Sequence, residues 1–69
     1  MVIKVNGKEV YIEKEMTIRE LFVLQHIAMP DCVIVQVNET LVEPQRYNEV
    51  IAKDQDTVEF IFFMGGGSF

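Results

Sequence analysis

Val58-Glu59-Phe60-Ile61-Phe62-Phe63-Met64-Gly65-Gly66-Gly67-Ser68-Phe69 closes the chain. A strongly apolar, β-prone run stops abruptly at three glycines. Val58, Phe60 and Phe62 share one face of the run, and Glu59, Ile61 and Phe63 share the other. Both faces carry apolar residues, so the run reads as a buried central strand. Gly65, Gly66 and Gly67 read as a flexible arm leaving a folded body. The expected division is a domain over residues 1–64 and a tail over residues 65–69.

Working outward, the rest of the chain supplies partners for that strand. Val2–Val5 and residues 8–12 are β-rich and separated by Asn6-Gly7. Both turn residues tolerate positive φ, which predicts a type I′ hairpin. Ile3 and Val5 face one way and Lys4 the other, while Val10 and Ile12 share a face. Thr17 with Glu20 three residues on has the capping-box spacing and predicts a helix start. Ile18, Leu21 and Phe22 then fall on one helical face. Beyond them Gln25 stands where an aliphatic residue would be expected, and Pro30 predicts a helix end by about Ala28.

Residues 32–37 predict a third strand with both faces partly covered. Asn38-Glu39-Thr40 turns the chain, and residues 44–47 predict a single helical turn with Pro44 at its start. Residues 49–52 suggest a short edge strand, and Asp54-Gln55-Asp56 a turn. A hairpin, a helix and further strands make a two-layer α+β design. A right-handed crossover would set a later strand parallel to the first. The β-grasp (ubiquitin-like) fold satisfies this order: a mixed sheet of four to five strands, one main helix across one face, and a flexible glycine-rich C-terminal tail.

Composition narrows the function classes. The chain has 69 residues, one domain's worth, and 49% of them are hydrophobic. A domain this small buries only about 60% of its unfolded surface. The longest apolar runs, residues 32–35 and 60–64, fall far short of the roughly 20 residues that span a bilayer. Met1-Val2-Ile3-Lys4 shows no basic region ahead of an apolar one, so no secretory signal is expected. The net charge of −5 opposes nucleic acid and anionic membrane as partners and suits a basic protein surface. Cys32 is the single cysteine, so no internal disulfide forms, which fits a reducing cytoplasm. One cysteine and one histidine do not make a zinc site. Cys32 reads as a small buried hydrophobe, and His26 as a surface residue near a helix C-terminus. Tyr11, Tyr47, Phe60 and Phe62 read as core. The acids Asp31, Glu39, Glu43, Glu49, Asp54, Asp56 and Glu59 read mostly as a solvated face.

The Asn6-Gly7 hairpin, Thr17-Ile18-Arg19-Glu20-Leu21, Val37-Asn38-Glu39, Asp54-Gln55-Asp56 and a last strand running into Gly66-Gly67 together resemble the ThiS family. These are small sulfur carriers of thiamine biosynthesis with the β-grasp fold, within a wider group that includes MoaD-type molybdopterin subunits. The resemblance covers essentially the whole chain. It implies a protein cosubstrate, not an enzyme, with no bound cofactor and no catalytic residue or metal of its own. A ThiF/MoeB-like adenylating enzyme would spend ATP on the terminal glycine carboxylate. The acyl-adenylate would become a thiocarboxylate, with sulfur from a cysteine desulfurase or another source. Thiazole synthase, or another sulfur-accepting enzyme, would take the sulfur.

By position the reactive residue is Gly67, with Gly66 the second choice. Glycine has no Cβ, so such an arm threads a narrow channel, and three extended residues reach about 10 Å. Phe63 and Met64, at the rim of the sheet, are the expected docking contacts. Three departures from the family pattern stand out. Ser68-Phe69 follows the glycines, which implies a cap that a metallopeptidase removes. Gln55 replaces the glycine of the family's aspartate-glycine-aspartate turn. The family's Val-Pro-Arg appears as Val42-Glu43-Pro44-Gln45-Arg46. Sulfur delivery to molybdopterin, cysteine or homocysteine is compatible with the same residues. So are a ubiquitin-like modifier and a β-grasp binding module without tail chemistry. A monomer with a disordered tail over residues 65–69 is expected.

Overall fold

In the computed structural model, residues 1–27 and 32–62 are described. β1 (Val2–Val5) and β2 (Lys8–Tyr11) pair antiparallel. Asn6 and Gly7 between them have φ of 51° and 85°, the left-handed pair that a type I′ turn requires. The ladder runs on past the strands, for Ile12 N–H donates to Met1 O at 2.8 Å.

The chain then enters β3 (Met16–Thr17) and α1 (Ile18–Leu24). Three N–H groups of the first helical turn have no partner within the helix, and each is met from outside it. Ile18 N–H donates to Val50 O at 3.0 Å and Arg19 N–H to Tyr47 O at 3.0 Å. Glu20 N–H donates to Thr17 Oγ1 at 3.1 Å, and Thr17 N–H returns a bond to Glu20 Oε1 at 2.9 Å. The expected capping box is therefore complete.

The helix ends at Leu24, earlier than Pro30 alone implies. His26 turns to φ 59°, its N–H donating to Val23 O at 3.1 Å, while Ile27 N–H reaches Phe22 O at 2.8 Å. This is a Schellman stop with histidine in the place usually taken by glycine. Gln25 is the C-cap, which explains why no aliphatic residue is needed there.

β4 (Val33–Val37) and β5 (Thr40–Val42) form a second hairpin over Asn38 and Glu39, at φ 51° and 71°. A 3₁₀ turn follows at Pro44–Arg46, as expected. β6 (Ile51–Ala52) pairs with β3 in a separate two-stranded ribbon and not with an edge of the main sheet. That ribbon pins the helix entry. β7 (Thr57–Phe62) runs parallel to β1 and antiparallel to β4, giving the sheet order β2-β1-β7-β4-β5. The β-grasp expectation, with five strands in the main sheet and β7 at its centre, is met.

α1 lays Ile18, Leu21 and Phe22 on one face of the sheet, against Ile3, Val35 and Val58 among others. Three expectations about side chains need correction. Tyr11 is 71% exposed; it lies between the inward-facing Val10 and Ile12, so strand alternation turns it outward. Phe62 is 54% exposed; it shares the face of Val58 and Phe60 but lies two residues beyond Phe60, the last of the three that is buried. β4 is covered on one face only, because among the described residues no second layer packs behind the sheet, and Ile34 is exposed there.

Candidate functional site

β7 is anchored on both edges. On one side its register with β4 runs from Val37↔Val58 to Val33↔Phe62. On the other, Val5↔Val58 pairs it with β1. Such a strand holds its last residue in a defined place. Phe62 is the last described residue of β7. Phe63, Met64, Gly65, Gly66, Gly67, Ser68 and Phe69, singled out by the sequence as docking contacts, arm and cap, lie outside the described residues.

The surface around the end of β7 is apolar on the outer face and mixed on the helix side, where Asn6, Lys8 and Gln25 stand beside apolar residues. On the outer face Ile34 stands opposite Ile61 in register. They are 39% and 43% exposed, with Leu41, at 57%, on the same face of neighbouring β5. On the helix side, Phe62 borders a groove of about 260 Å³ together with Val5, Lys8, Gln25, Ile27 and Phe60. The sequence pointed to Phe63 and Met64 for docking but did not single out Ile34, Leu41, Ile61 and Phe62. The signal was present: β4 and β7 carry apolar residues on both faces, while one helix covers only one.

A larger groove, about 630 Å³, lies beside Tyr11, Ile12, Met16, Val23 and Leu24. Tyr11 pairs with Val2, at the start of β1, whereas β7 ends beyond Val5. Of its acids, Glu20 is held in the helix cap.

Two acids expected on a solvated face have fixed structural work. Asp54 accepts from Val2 N–H at 2.8 Å. Asp56 accepts from Lys53 N–H at 2.8 Å and from Asn38 Nδ2 at 3.0 Å. Between them Gln55 takes φ 71° and donates its N–H to Val2 O at 2.7 Å. The turn thus keeps the left-handed residue that a glycine would supply. Cys32 is half-buried ahead of β4, and His26 is exposed in the helix stop.

The comparisons with known proteins agree across nearly the whole chain. The ThiS family model matches residues 3–67, so the match ends on Gly67 and leaves out Ser68 and Phe69. The sulfur carrier protein ThiS of Bacillus subtilis (strain 168) is 35% identical over 66 residues, 94% of this chain and 98% of that one. The crystal structure of a thiamine biosynthesis protein (ThiS) from Geobacter metallireducens superposes with a TM-score of 0.85 at 33% identity, covering 97% of this chain and all of that one. A solution structure of a thiamine biosynthesis protein from the same organism gives a TM-score of 0.79 at 32% identity, covering 100% of this chain and 91% of that one.

Proposed function

The chain belongs to the ThiS family, and on that footing we propose that it is a sulfur carrier of thiamine biosynthesis, working as a cytoplasmic protein cosubstrate. Residues 1–64 are the body and residues 65–69 the tail. The Gly67 carboxylate attacks the α-phosphorus of ATP on a ThiF/MoeB-like enzyme and displaces pyrophosphate. Sulfide then attacks the acyl carbon and releases AMP. Where a cysteine desulfurase supplies the sulfur as a persulfide, the attack gives an acyl disulfide. A second thiol cleaves it to the thiocarboxylate, leaving as a disulfide with the persulfide's carrier sulfur. The resulting thiocarboxylate delivers sulfur to thiazole synthase. A carboxylate is a poor electrophile, and the mixed anhydride with AMP makes its carbon reactive. Apart from the Gly67 carboxylate itself, the acid, base and sulfur-donor chemistry belongs to the partners.

One observation carries this reading: a family match that stops on Gly67, just past a central strand held along both edges. Cleavage of the Gly67–Ser68 peptide bond by a metallopeptidase, with uptake of water, exposes the reactive carboxylate. The exposed Ile34, Leu41 and Ile61, with Phe63 and Met64, form the docking surface for the activating enzyme. The acidic balance of the chain favours a basic rim on that enzyme.

The chain ending at Gly67 is incubated with ATP, its cognate adenylating enzyme and a sulfur source. A mass gain equal to replacing one oxygen by sulfur supports the carrier. Conjugates on lysines of other proteins would instead identify a modifier. No change with the cognate enzyme leaves a binding module. Mass spectrometry of the protein from its native cells tests the trimming step, and finding only chains that end at Phe69 rules it out.

A further inference from the structure

We infer that the side-chain amide of Asn6 is a positioning residue for the reactive tail, because it acts as one more residue of β1 and clamps β7 at Phe60; the functional half of this inference rests on the carrier reading above. The parallel ladder between β1 and β7 is built from Lys4 N–H to Asp56 O at 2.9 Å and Asn6 N–H to Val58 O at 3.0 Å. A strand that continued straight would next offer a carbonyl to Phe60 N–H and an N–H to Phe60 O. It does not continue. At Asn6-Gly7 the backbone turns left-handed and leaves for β2.

The Asn6 side chain supplies both missing groups. Phe60 N–H donates to Asn6 Oδ1 at 2.8 Å, and Asn6 Nδ2 donates to Phe60 O at 3.3 Å. A primary amide has the same donor and acceptor as a peptide group, so it completes the ladder that the turn cuts short. Asn6 therefore has two tasks. It takes φ 51° in the turn, which asparagine tolerates better than most residues, and it holds the strand two positions before Phe62.

The opposite edge of β7 shows the same device. Asn38, in the second hairpin turn, accepts from Thr57 N–H through Oδ1 at 2.9 Å. Asn38 secures the start of β7 and Asn6 the part nearest the tail. On the β1 side, Asn6 sets the point at which β7 ceases to be held, while β4 holds the other edge to Phe62, so Asn6 supplies one of the two restraints on the origin from which the tail reaches. A looser origin spreads the position of the tip and lowers the fraction of docked carriers whose carboxylate meets ATP.

Two substitutions separate the tasks. Asn6→Gly preserves the left-handed turn and removes the clamp. Asn6→Asp preserves the turn and the acceptor for Phe60 N–H but removes the donor. In the full chain, amide hydrogen exchange at Phe60 is expected to be about tenfold faster in Asn6→Gly and close to wild type in Asn6→Asp. In adenylation of the chain ending at Gly67 by the cognate enzyme, Asn6→Gly is expected to lower kcat by roughly three- to tenfold with KM unchanged, since the docking surface is intact. Unchanged exchange at Phe60 overturns the clamp. A raised KM with unchanged kcat overturns the positioning role. If the wild-type carrier is not adenylated either, the carrier reading falls and the positioning role with it, while the exchange result still decides the clamp.

Discussion

The ring of Tyr47 stands edge-on to the ring of Phe22, with centroids 4.9 Å apart and planes at 80°. Phe22 in turn lies 5.6 Å from Phe60. One aromatic chain thus ties the segment after the 3₁₀ turn to the helix and the helix to the central strand. Tyr47 also accepts the Arg19 N–H through its backbone carbonyl, so the residue that closes the core also closes the helix start.

Replacing Tyr47 by alanine removes a buried aromatic side chain, a change that costs about 3–5 kcal/mol. A domain of this length has roughly 3–10 kcal/mol in total. Tyr47→Ala is expected to lose about a third or more of the wild-type unfolding free energy in urea. A loss below about 1 kcal/mol would show that the ring contributes little to closing the core.

The helix start supports a finer experiment. Thr17→Ala removes the acceptor for Glu20 N–H and is expected to cost about 1 kcal/mol. Glu20→Ala removes the reciprocal bond to Thr17 N–H. Because the two bonds define one geometry, the double variant is expected to lose less than the sum of the single ones. Strict additivity in a thermal or urea double-mutant cycle would mean that the two caps act independently.

His26 and Gln55 hold φ of 59° and 71°, where a Cβ is crowded. Replacing either by glycine relieves that crowding at some cost in unfolded-chain entropy. Each is expected to gain about 0.5–1 kcal/mol, read as a rise in melting temperature. Gly7→Ala makes the opposite change at φ 85° and is expected to lower it by a similar amount or more. A stabilising Gly7→Ala would contradict the turn geometry.

Much of this architecture is legible from short-range patterns. Asn6-Gly7 encodes the hairpin, Thr17 and Glu20 the cap, and Ile18, Leu21 and Phe22 the buried face of the helix. Each of these signals is local and has a direct stereochemical cause. The helix stop was not legible, because His26 stands at the left-handed position where a glycine would have marked it. Tyr11 and Phe62 were misplaced for a different reason. Aromatic character argues for burial, but Tyr11 alternates with the inward-facing Val10 and Ile12, and Phe62 lies beyond the last buried residue of its row, which is a property of the assembled layers. The ribbon of β3 and β6 is built from two-residue strands, too short to carry a periodicity. On the functional side, the glycine triplet was visible in the sequence, and it lies outside the described residues. The clamp at Phe60 was not, because it joins residues 54 positions apart in the chain.

The outer face of the sheet provides the test that complements the clamp. Ile34 and Ile61 are exposed partners across β4 and β7 and pack no helix. Replacing both by threonine retains β-branched side chains that suit a strand, so the loss of stability is expected to stay within about 1 kcal/mol. Taking apolar area from the proposed docking surface is expected to weaken the encounter with the activating enzyme, raising KM about tenfold or more while kcat at saturation is preserved. Asn6→Gly is expected to do the reverse, lowering kcat and sparing KM. The two effects separate because one set of residues brings the enzyme to the body and the other aims the tail once it is there. If the Ile34→Thr, Ile61→Thr double variant is adenylated with wild-type KM, the enzyme docks elsewhere, and the exposed apolar face has no part in activation.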